Sequence, residues 1–203
     1  MDFQEKLKKA LQLDIHYDTF QPFSGAQPTA AVLILFSDLS KTPHLLVTRR
    51  STRLKSHHGQ YAFPGGKIDA EDHHHASPAS QVAAKRETHE EVGVPPETIQ
   101  ILGSLPLIPT LSTRTWVEPW IGHLGQSHHT MPLEVNQDEV DWAGWLSWQS
   151  FLLLDNYRKE RFHWKKKTFP NHIYQVQDHT IWGATAAMIH LLKKRIEQAS
   201  LTE

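Results

Sequence analysis

The stretch from Ser77 to Pro96 constrains the fold more than any other part of the chain. Ser77-Pro78 offers a capping hydroxyl followed by the residue best tolerated in the first helical turn, and Gly93 with Pro95 and Pro96 beyond it stops the helix. The pattern predicts a helix from about Pro78 to Val92. Its two sides are unlike. Ala84, Thr88 and Val92 recur at i, i+4 and i+8 as a modest apolar seam, whereas Glu87, Glu90 and Glu91 sit at i, i+3 and i+4, so their three carboxylates leave the opposite side together. Such a helix packs its seam on a sheet and turns its acids outward.

The sheet is found on both sides of this helix in the sequence. Runs rich in branched apolar residues begin at Ala30 (AAVLILF) and at His44 (HLLVT), joined by a turn over 38–43, and a short strand leads into the Pro64-Gly65-Gly66 loop. Further strands are expected at 99–107, 114–124 and 139–148, followed by a short helix at 147–154. Asp2 caps an amphipathic helix over 2–13 on which Phe3, Leu7 and Leu11 recur. A closing helix carries the stripe Ile181, Thr185, Met188, Leu192 and Ile196, and the charged stretch from Asn156 to Lys167 precedes it without a strand assignment. Strands in the middle with helices before, between and after them predict an α+β fold. At 203 residues, with no long linker and no repeat, one domain spanning 1–203 is expected.

Composition removes several functions. The formal charge of -1 offers no broad positive field for nucleic acid. With no Cys, thiolate zinc, iron–sulfur clusters, disulfides and a cysteine nucleophile are excluded. No uninterrupted apolar run is long enough for a membrane span, and MDFQEKLKKALQL lacks the apolar core of a secretory signal, so a soluble, cytoplasmic protein is expected.

Two readings of the acidic cluster compete. Like charges at these spacings cost a few tenths of a kcal/mol per pair, and the negative end of the helix dipole adds a similar cost. One reading is a solvated acidic face neutralised by Lys85 and Arg86. The other is a site for a hard cation such as Mg²⁺, which takes carboxylates, carbonyl or phosphate oxygens and waters. Gly65-Gly66 favours the second, because bare backbone can approach a ligand closely there.

Gly66, Arg86-Glu87, Glu90-Glu91 and Gly93-Val94 resemble the Nudix box, G-x5-E-x7-R-E-U-x-E-E-x-G-U with U aliphatic, over residues 66–94. The half R-E-x-x-E-E-x-G is intact. Asp72 stands at the early Glu, 13 residues rather than seven separate it from Arg86, and Thr88 replaces the first U. Upstream, LVTRRSTRLKSHHGQYAFPGG is similar to the signature that accompanies the box in coenzyme A pyrophosphatases, with Thr48, Arg50, Ser51, Gly59, Phe63, Pro64, Gly65 and Gly66 in register and Lys55 in place of the second Arg. IWGATAAMI at 181–189 resembles a helix start of the same subfamily.

This resemblance implies a Nudix fold, a mixed β-sheet sandwiched between helices. It implies hydrolysis of the diphosphate of coenzyme A or an acyl derivative, giving 3′,5′-ADP and a 4′-phosphopantetheine, with Mg²⁺ or Mn²⁺ as cofactor. Glu87, Glu90, Glu91 and the Gly66 carbonyl would hold the metal, and Arg86 would orient Glu90 as its i+4 partner. Arg50, Ser51, Lys55 and Gly65 would receive the substrate, and the assembly leaves room for a homodimer. The rival activities are hydrolysis of ADP-ribose, dinucleotides or nucleotide sugars, and nucleotide sensing without turnover.

Other features carry paired readings. Arg49, Arg50, Arg53 and Lys55 form either a phosphate-binding rim or a solvated basic loop. Glu139 is a further metal ligand or general base, or a surface acid at a strand start. His73, His74 and His75 read as loop filler, since three consecutive residues cannot converge on one ion from regular structure. Trp116, Trp120, Trp142, Trp145 and Trp182 read mainly as core and sheet-edge residues.

Overall fold

The computed structural model describes residues 2–13, 26–40, 42–53, 58–110, 115–125, 127–164 and 167–201. Lys55 therefore lies outside the described residues. Helix α1 (Phe3–Gln12) opens with a reciprocal cap: Glu5 N–H donates to Asp2 Oδ1 at 2.8 Å, and Asp2 N–H donates to Glu5 Oε2 at 3.1 Å.

The main sheet is mixed. Strand β1 (Ala30–Ser37) runs parallel to β7 (Trp116–Leu124) and antiparallel to the start of β2 (His44–Arg50). β1 is covered on both faces, which is why its sequence is a continuous apolar run rather than an alternation. Ala31, Leu33 and Leu35 join one core with Leu46, Ala83, Ala84 and Val92, while Ile34 and Phe36 join the other with Leu7, Phe151, Tyr174 and Leu192. Helix α2 (Ala79–Val92) covers the first face. Helix α1, the short α3 (Trp148–Leu152) and α4 (Gly183–Leu201) supply the second core. Beyond β7 lie β5 (Ile99–Ser104) and the two-residue β6 (Ile108–Pro109), both antiparallel to it.

One irregularity positions the site. β1 and β2 pair only at Phe36–Leu45 and Ser37–His44, then splay apart. Strands β3 (Tyr61–Ala62) and β4 (Gly65–Lys67) fill the wedge: β3 pairs with Thr48 and Arg49, and β4 pairs with Ala30, Ala31 and Val32. The opposite side of β2 is taken by β8 (Val140–Ser147), with a bulge at Arg49/Arg50. A Cβ on Gly65, at φ +154°, would stand 2.3 Å from the Ala31 carbonyl, so only glycine fits the wedge.

Several expectations are corrected. Ser77 does not cap α2; Pro78 occupies the N-cap and no side chain bonds there, so the Ser-Pro pair marks the start through proline's fixed φ alone. Within the charged stretch that the sequence left without a strand assignment, residues 157–164 form a strand and Lys167 begins another. β9 (Tyr157–Trp164), β10 (Lys167–Val176) and β11 (His179–Trp182) form a second, three-stranded antiparallel sheet. Ile181 is buried in β11 rather than on the closing helix, which begins two residues later. Of the tryptophans, Trp148 is buried in the core, whereas Trp182 is exposed. Among the described residues no helix is long and apolar enough to cross a membrane.

Candidate active site

Helix α2 lies over the wedge with Ala84, Thr88 and Val92 buried against β1, and Thr88 Oγ1 donates to the Ala84 carbonyl at 2.7 Å, so its hydroxyl is satisfied inside the helix. The helix ends at Gly93, whose φ of +75° is left-handed and whose N–H donates to the His89 carbonyl at 2.8 Å. The carbonyls left open by the helix end are met by a loop: Glu134 N–H donates to Val92 O and Asn136 N–H to Glu91 O, each at 3.0 Å. That loop continues into Glu139 and β8. Capping the helix therefore also delivers a fourth carboxylate to it.

Glu87, Glu91 and Glu139 present carboxylate oxygens that all lie within 4.8 Å of one another. Glu91 is 3% exposed, and its Oε2 is buried without a hydrogen-bond partner among the described residues. Burial pushes its carboxyl up to about 8, helped by the nearby Glu87 and Glu139 and opposed by the Arg50 charge and a backbone hydrogen bond from Gly65. Burial likewise raises Glu87, against the pull of Arg86. Gly66 makes room for Glu87, since a Cβ there would meet the Glu87 carboxyl at 2.3 to 2.5 Å.

Glu90 stands apart from this trio. Its side chain is 48% exposed and accepts from Arg86 Nη1 at 3.1 Å. Arg86 is the hub of the cluster. It grips buried Asp72 with two donors, Nε to Oδ1 and Nη2 to Oδ2, both at 3.1 Å, and also donates to Glu87 Oε1 at 3.0 Å and to the Lys67 carbonyl at 3.1 Å. The two-pronged pairing with Asp72 raises the Arg86 pKa further. Burial works against the Asp72 carboxylate, but the Arg86 hydrogen bonds outweigh it and hold Asp72 below the usual carboxylate range. The 13 residues between Asp72 and Arg86 are spanned without loss of this contact. The chain turns through a short 3-10 segment at Glu71–His74, and His73, His74 and His75 remain exposed.

The residues expected at the substrate rim divide. Arg50 faces the acids: its charge acts on Glu91, and its Nε is buried without a hydrogen-bond partner among the described residues. Ser51 is fully buried, its hydroxyl donates to the Gln137 carbonyl at 3.4 Å, and its N–H donates to the Glu139 carbonyl at 2.9 Å. Ser51 therefore fastens the loop that carries Glu139 and does not line an open rim. Arg53 pairs with Asp138 on the surface, both side chains well exposed. Sequence reasoning left Glu139 beside a bland alternative. The signal that places it is the β2–β8 register, which sets Arg50 opposite Val140.

The comparisons with known proteins agree with this architecture. The model of the NUDIX domain matches residues 26–168. A protein of Photorhabdus laumondii named as an uncharacterized Nudix hydrolase NudL is 40% identical over 160 residues, covering 76% of this chain and 78% of its own. Its namesake from Klebsiella pneumoniae is 33% identical over 196 residues, covering 93% and 96%. Among solved structures, a MutT/nudix family protein from Enterococcus faecalis covers 96% of this chain and 74% of its own at a TM-score of 0.51 and 16% identity. A Caenorhabditis elegans Ap4A hydrolase covers 85% and 98% at 0.50 and 19% identity. These last two show likeness of fold. With an α+β fold, its acids gathered on α2 above a glycine wedge, and these relatives, the chain belongs to the Nudix family of pyrophosphohydrolases.

Proposed function

We propose that this enzyme hydrolyses the diphosphate linkage of coenzyme A or an acyl-coenzyme A, using Mg²⁺ or Mn²⁺, to give 3′,5′-ADP and the corresponding 4′-phosphopantetheine. The observation that carries the metal is Glu91, a buried carboxyl with one oxygen unpaired among the described residues and two further acids beside it. A buried charge is tolerated only when paired or coordinated, and a hard cation is the partner these oxygens fit. Glu87, Glu90 and Glu91, with Glu139 and the Gly66 carbonyl, would hold it. When bound, such an ion neutralises diphosphate charge and lowers the pKa of an attacking water.

The protein's own part is positioning and charge. Arg86, anchored by Asp72, fixes the rotamers of Glu87 and Glu90. Arg50 adds a positive charge beside the acids, where the anionic diphosphate enters, and Gly65 keeps the backbone low enough for close approach. The assignment to coenzyme A rests on the upstream residues in register from Thr48 to Gly66, of which Thr48 and Arg50 lie on β2 and Gly65 and Gly66 on β4.

Turnover over a diphosphate panel with Mg²⁺ tests this reading. Release of 3′,5′-ADP from coenzyme A, at a kcat/KM at least about tenfold above ADP-ribose, supports it. A preference for ADP-ribose or a dinucleotide reassigns the substrate, and tight nucleotide binding without cleavage makes the protein a sensor. Comparing coenzyme A with dephospho-coenzyme A in Arg50→Gln locates that side chain. Equal losses exclude it from the 3′-phosphate and leave the case for coenzyme A on motif resemblance alone, and a loss confined to coenzyme A places it on the 3′-phosphate, a contact worth about ten- to a hundredfold.

A further inference from the structure

At the other end of β1, five residues and about 17 Å from the Gly65 pairing position at a strand rise near 3.3 Å per residue, stands a second group of metal-ligating side chains. Asp38, His44 and His128 offer ligand atoms that all lie within 4.8 Å of one another, and all three are half-buried. They come from three places: the turn after β1, the first residue of β2, and the short 3-10 segment His128–Thr130 after β7. Asp38 holds a left-handed φ of +53°, a conformation Asp tolerates better than most residues.

The hydrogen bonds fix the chemistry of the two imidazoles. His44 Nδ1 lies 2.6 Å from the Thr42 carbonyl, which can only accept, so Nδ1 carries the proton and Nε2 keeps its lone pair. An imidazole whose other nitrogen is tied to a backbone carbonyl is the usual state of a metal-bound histidine. His128 Nδ1 lies 2.5 Å from Asp38 Oδ2 and 2.9 Å from Ser37 Oγ, and Ser127 Oγ donates to the same carboxylate oxygen at 3.3 Å. Although Ser, His and Asp meet here, they do not form a nucleophilic triad: Ser37 and Asp38 share one ring nitrogen, and Ser37 is fully buried. The His129 ring lies tilted against His128, centroids 4.0 Å apart, and the buried Nδ1 of His123, a neighbour that feels the Asp38 charge, has no hydrogen-bond partner among the described residues.

We propose that Asp38, His44 and His128 bind a first-row transition ion of the zinc type, separate from the hard-cation site on α2. Two imidazoles and one carboxylate are a donor set for zinc or its neighbours and a poor one for Mg²⁺. Ligands about 2.0–2.2 Å from a tetrahedral ion stand about 3.3 Å apart. The ligand atoms, all within 4.8 Å of one another, need only small side-chain shifts to reach that spacing, with the ion taking the place of the Asp38–His128 hydrogen bond. The bound ion ties the turn after β1 to the loop after β7 and leaves its fourth position open.

The test titrates Co²⁺ into chelator-treated protein in excess Mg²⁺, so that the carboxylate site is filled, and reads the visible absorption of tetrahedral cobalt and its displacement by Zn²⁺. Wild type is expected to bind one equivalent. His44→Gln should weaken binding by at least about tenfold and leave Mg²⁺-dependent turnover unchanged. His128→Gln should do the same, but because it also breaks the Asp38 contact, its metal-free melting temperature is measured alongside. A triple variant, His73→Gln, His74→Gln and His75→Gln, should bind as wild type does. Absence of the tetrahedral band, its persistence in His44→Gln, or its loss in the triple variant overturns the proposal.

Discussion

Replacing Glu91 with Gln should stabilise the metal-free enzyme while disabling it, and the stabilisation should grow with pH. Glu91 is 3% exposed, one carboxyl oxygen has no partner among the described residues, and burial beside Glu87 and Glu139 pushes its pKa from the ordinary 4.5 up to about 8. Because the folded pKa lies above the unfolded one, the favourable contribution of the group is fully present below about pH 4.5 and is lost as pH rises through about 8. Gln has the same shape, carries no charge to desolvate, and its amide can donate to Glu87 or Glu139. At about 1.4 kcal/mol per pKa unit, and allowing for relaxation, the variant should exceed wild type by on the order of 2–3 kcal/mol at pH 8 and by less than about 1 kcal/mol at pH 5. For a chain of this length that is a rise of about 5–10 °C in melting temperature at pH 8. The assay is thermal unfolding of chelator-treated wild type and variant over a pH series, repeated with Mg²⁺. With the ion present the order should reverse, because only wild type gains the full binding linkage, and kcat should fall by at least about a hundredfold. A variant less stable than wild type at pH 8 without metal, or a difference that does not change with pH, refutes the reasoning.

Glu90→Gln should also lower kcat at least about a hundredfold but leave the metal-free melting temperature within a few degrees, since Glu90 is half exposed; near-wild-type turnover at saturating Mg²⁺ removes it from the metal shell. Glu139→Gln should reduce turnover at least about tenfold with unchanged helix content by circular dichroism, and full activity would return Glu139 to the status of a surface acid. Asp72→Ala leaves Arg86 without its two-pronged partner and should cost on the order of 2–4 kcal/mol in urea unfolding, an outcome that a loss below about 0.5 kcal/mol would contradict. His172 and His190 stack at 4.0 Å, and burial pushes both down to about 4. Their contribution is full above about pH 6.5 and falls as pH drops toward 4, so stability should decline on the order of 2 kcal/mol more between pH 7 and 5 in wild type than in the double Gln variant, measured by urea unfolding; equal declines would show that the pair does not titrate as a buried unit.

The elements that sequence reasoning recovers are those whose local pattern and tertiary environment agree. Helix α2 announces both faces through residue spacing, α1 through its cap, and β1 through an apolar run that a strand buried on both faces must have. The second sheet is hidden because β9 pairs through its backbone while carrying Arg158, Lys159, Glu160 and Arg161, whose charges mask a strand with an exposed face. Ile181 fits the periodicity of α4 by coincidence, one short turn before Gly183 begins the helix. At the site, Glu87, Glu90 and Glu91 are readable from helical spacing alone. The inward place of Arg50, the buried tether of Ser51 and the arrival of Glu139 all depend on β8 pairing with β2, a contact that joins residues about ninety positions apart.

That long-range pairing bears on why the helix carries so many acids. Asp69, Asp72, Glu87 and Glu90 all converge on Arg86, so its single positive charge is already committed within the framework. Glu91 then has the partial attraction of Arg50, which does not offset its burial. A lysine at the centre of the trio would settle the imbalance permanently, and the site would bind nothing. The structure instead holds the carboxylates together by means that do not neutralise them: the apolar seam of α2 against β1, the loop N–H groups that donate to the last helix carbonyls, and the glycines that let β4 lie beneath Glu87. The like-charge repulsion of the cluster is therefore maintained by packing, and the ion we propose there would relieve it. Shortening the loop between Asp72 and Ser77 by about four residues should for the same reason leave turnover within roughly tenfold, since what the site requires from that segment is one buried carboxylate at the right point in space; a collapse of activity with the fold intact would contradict this.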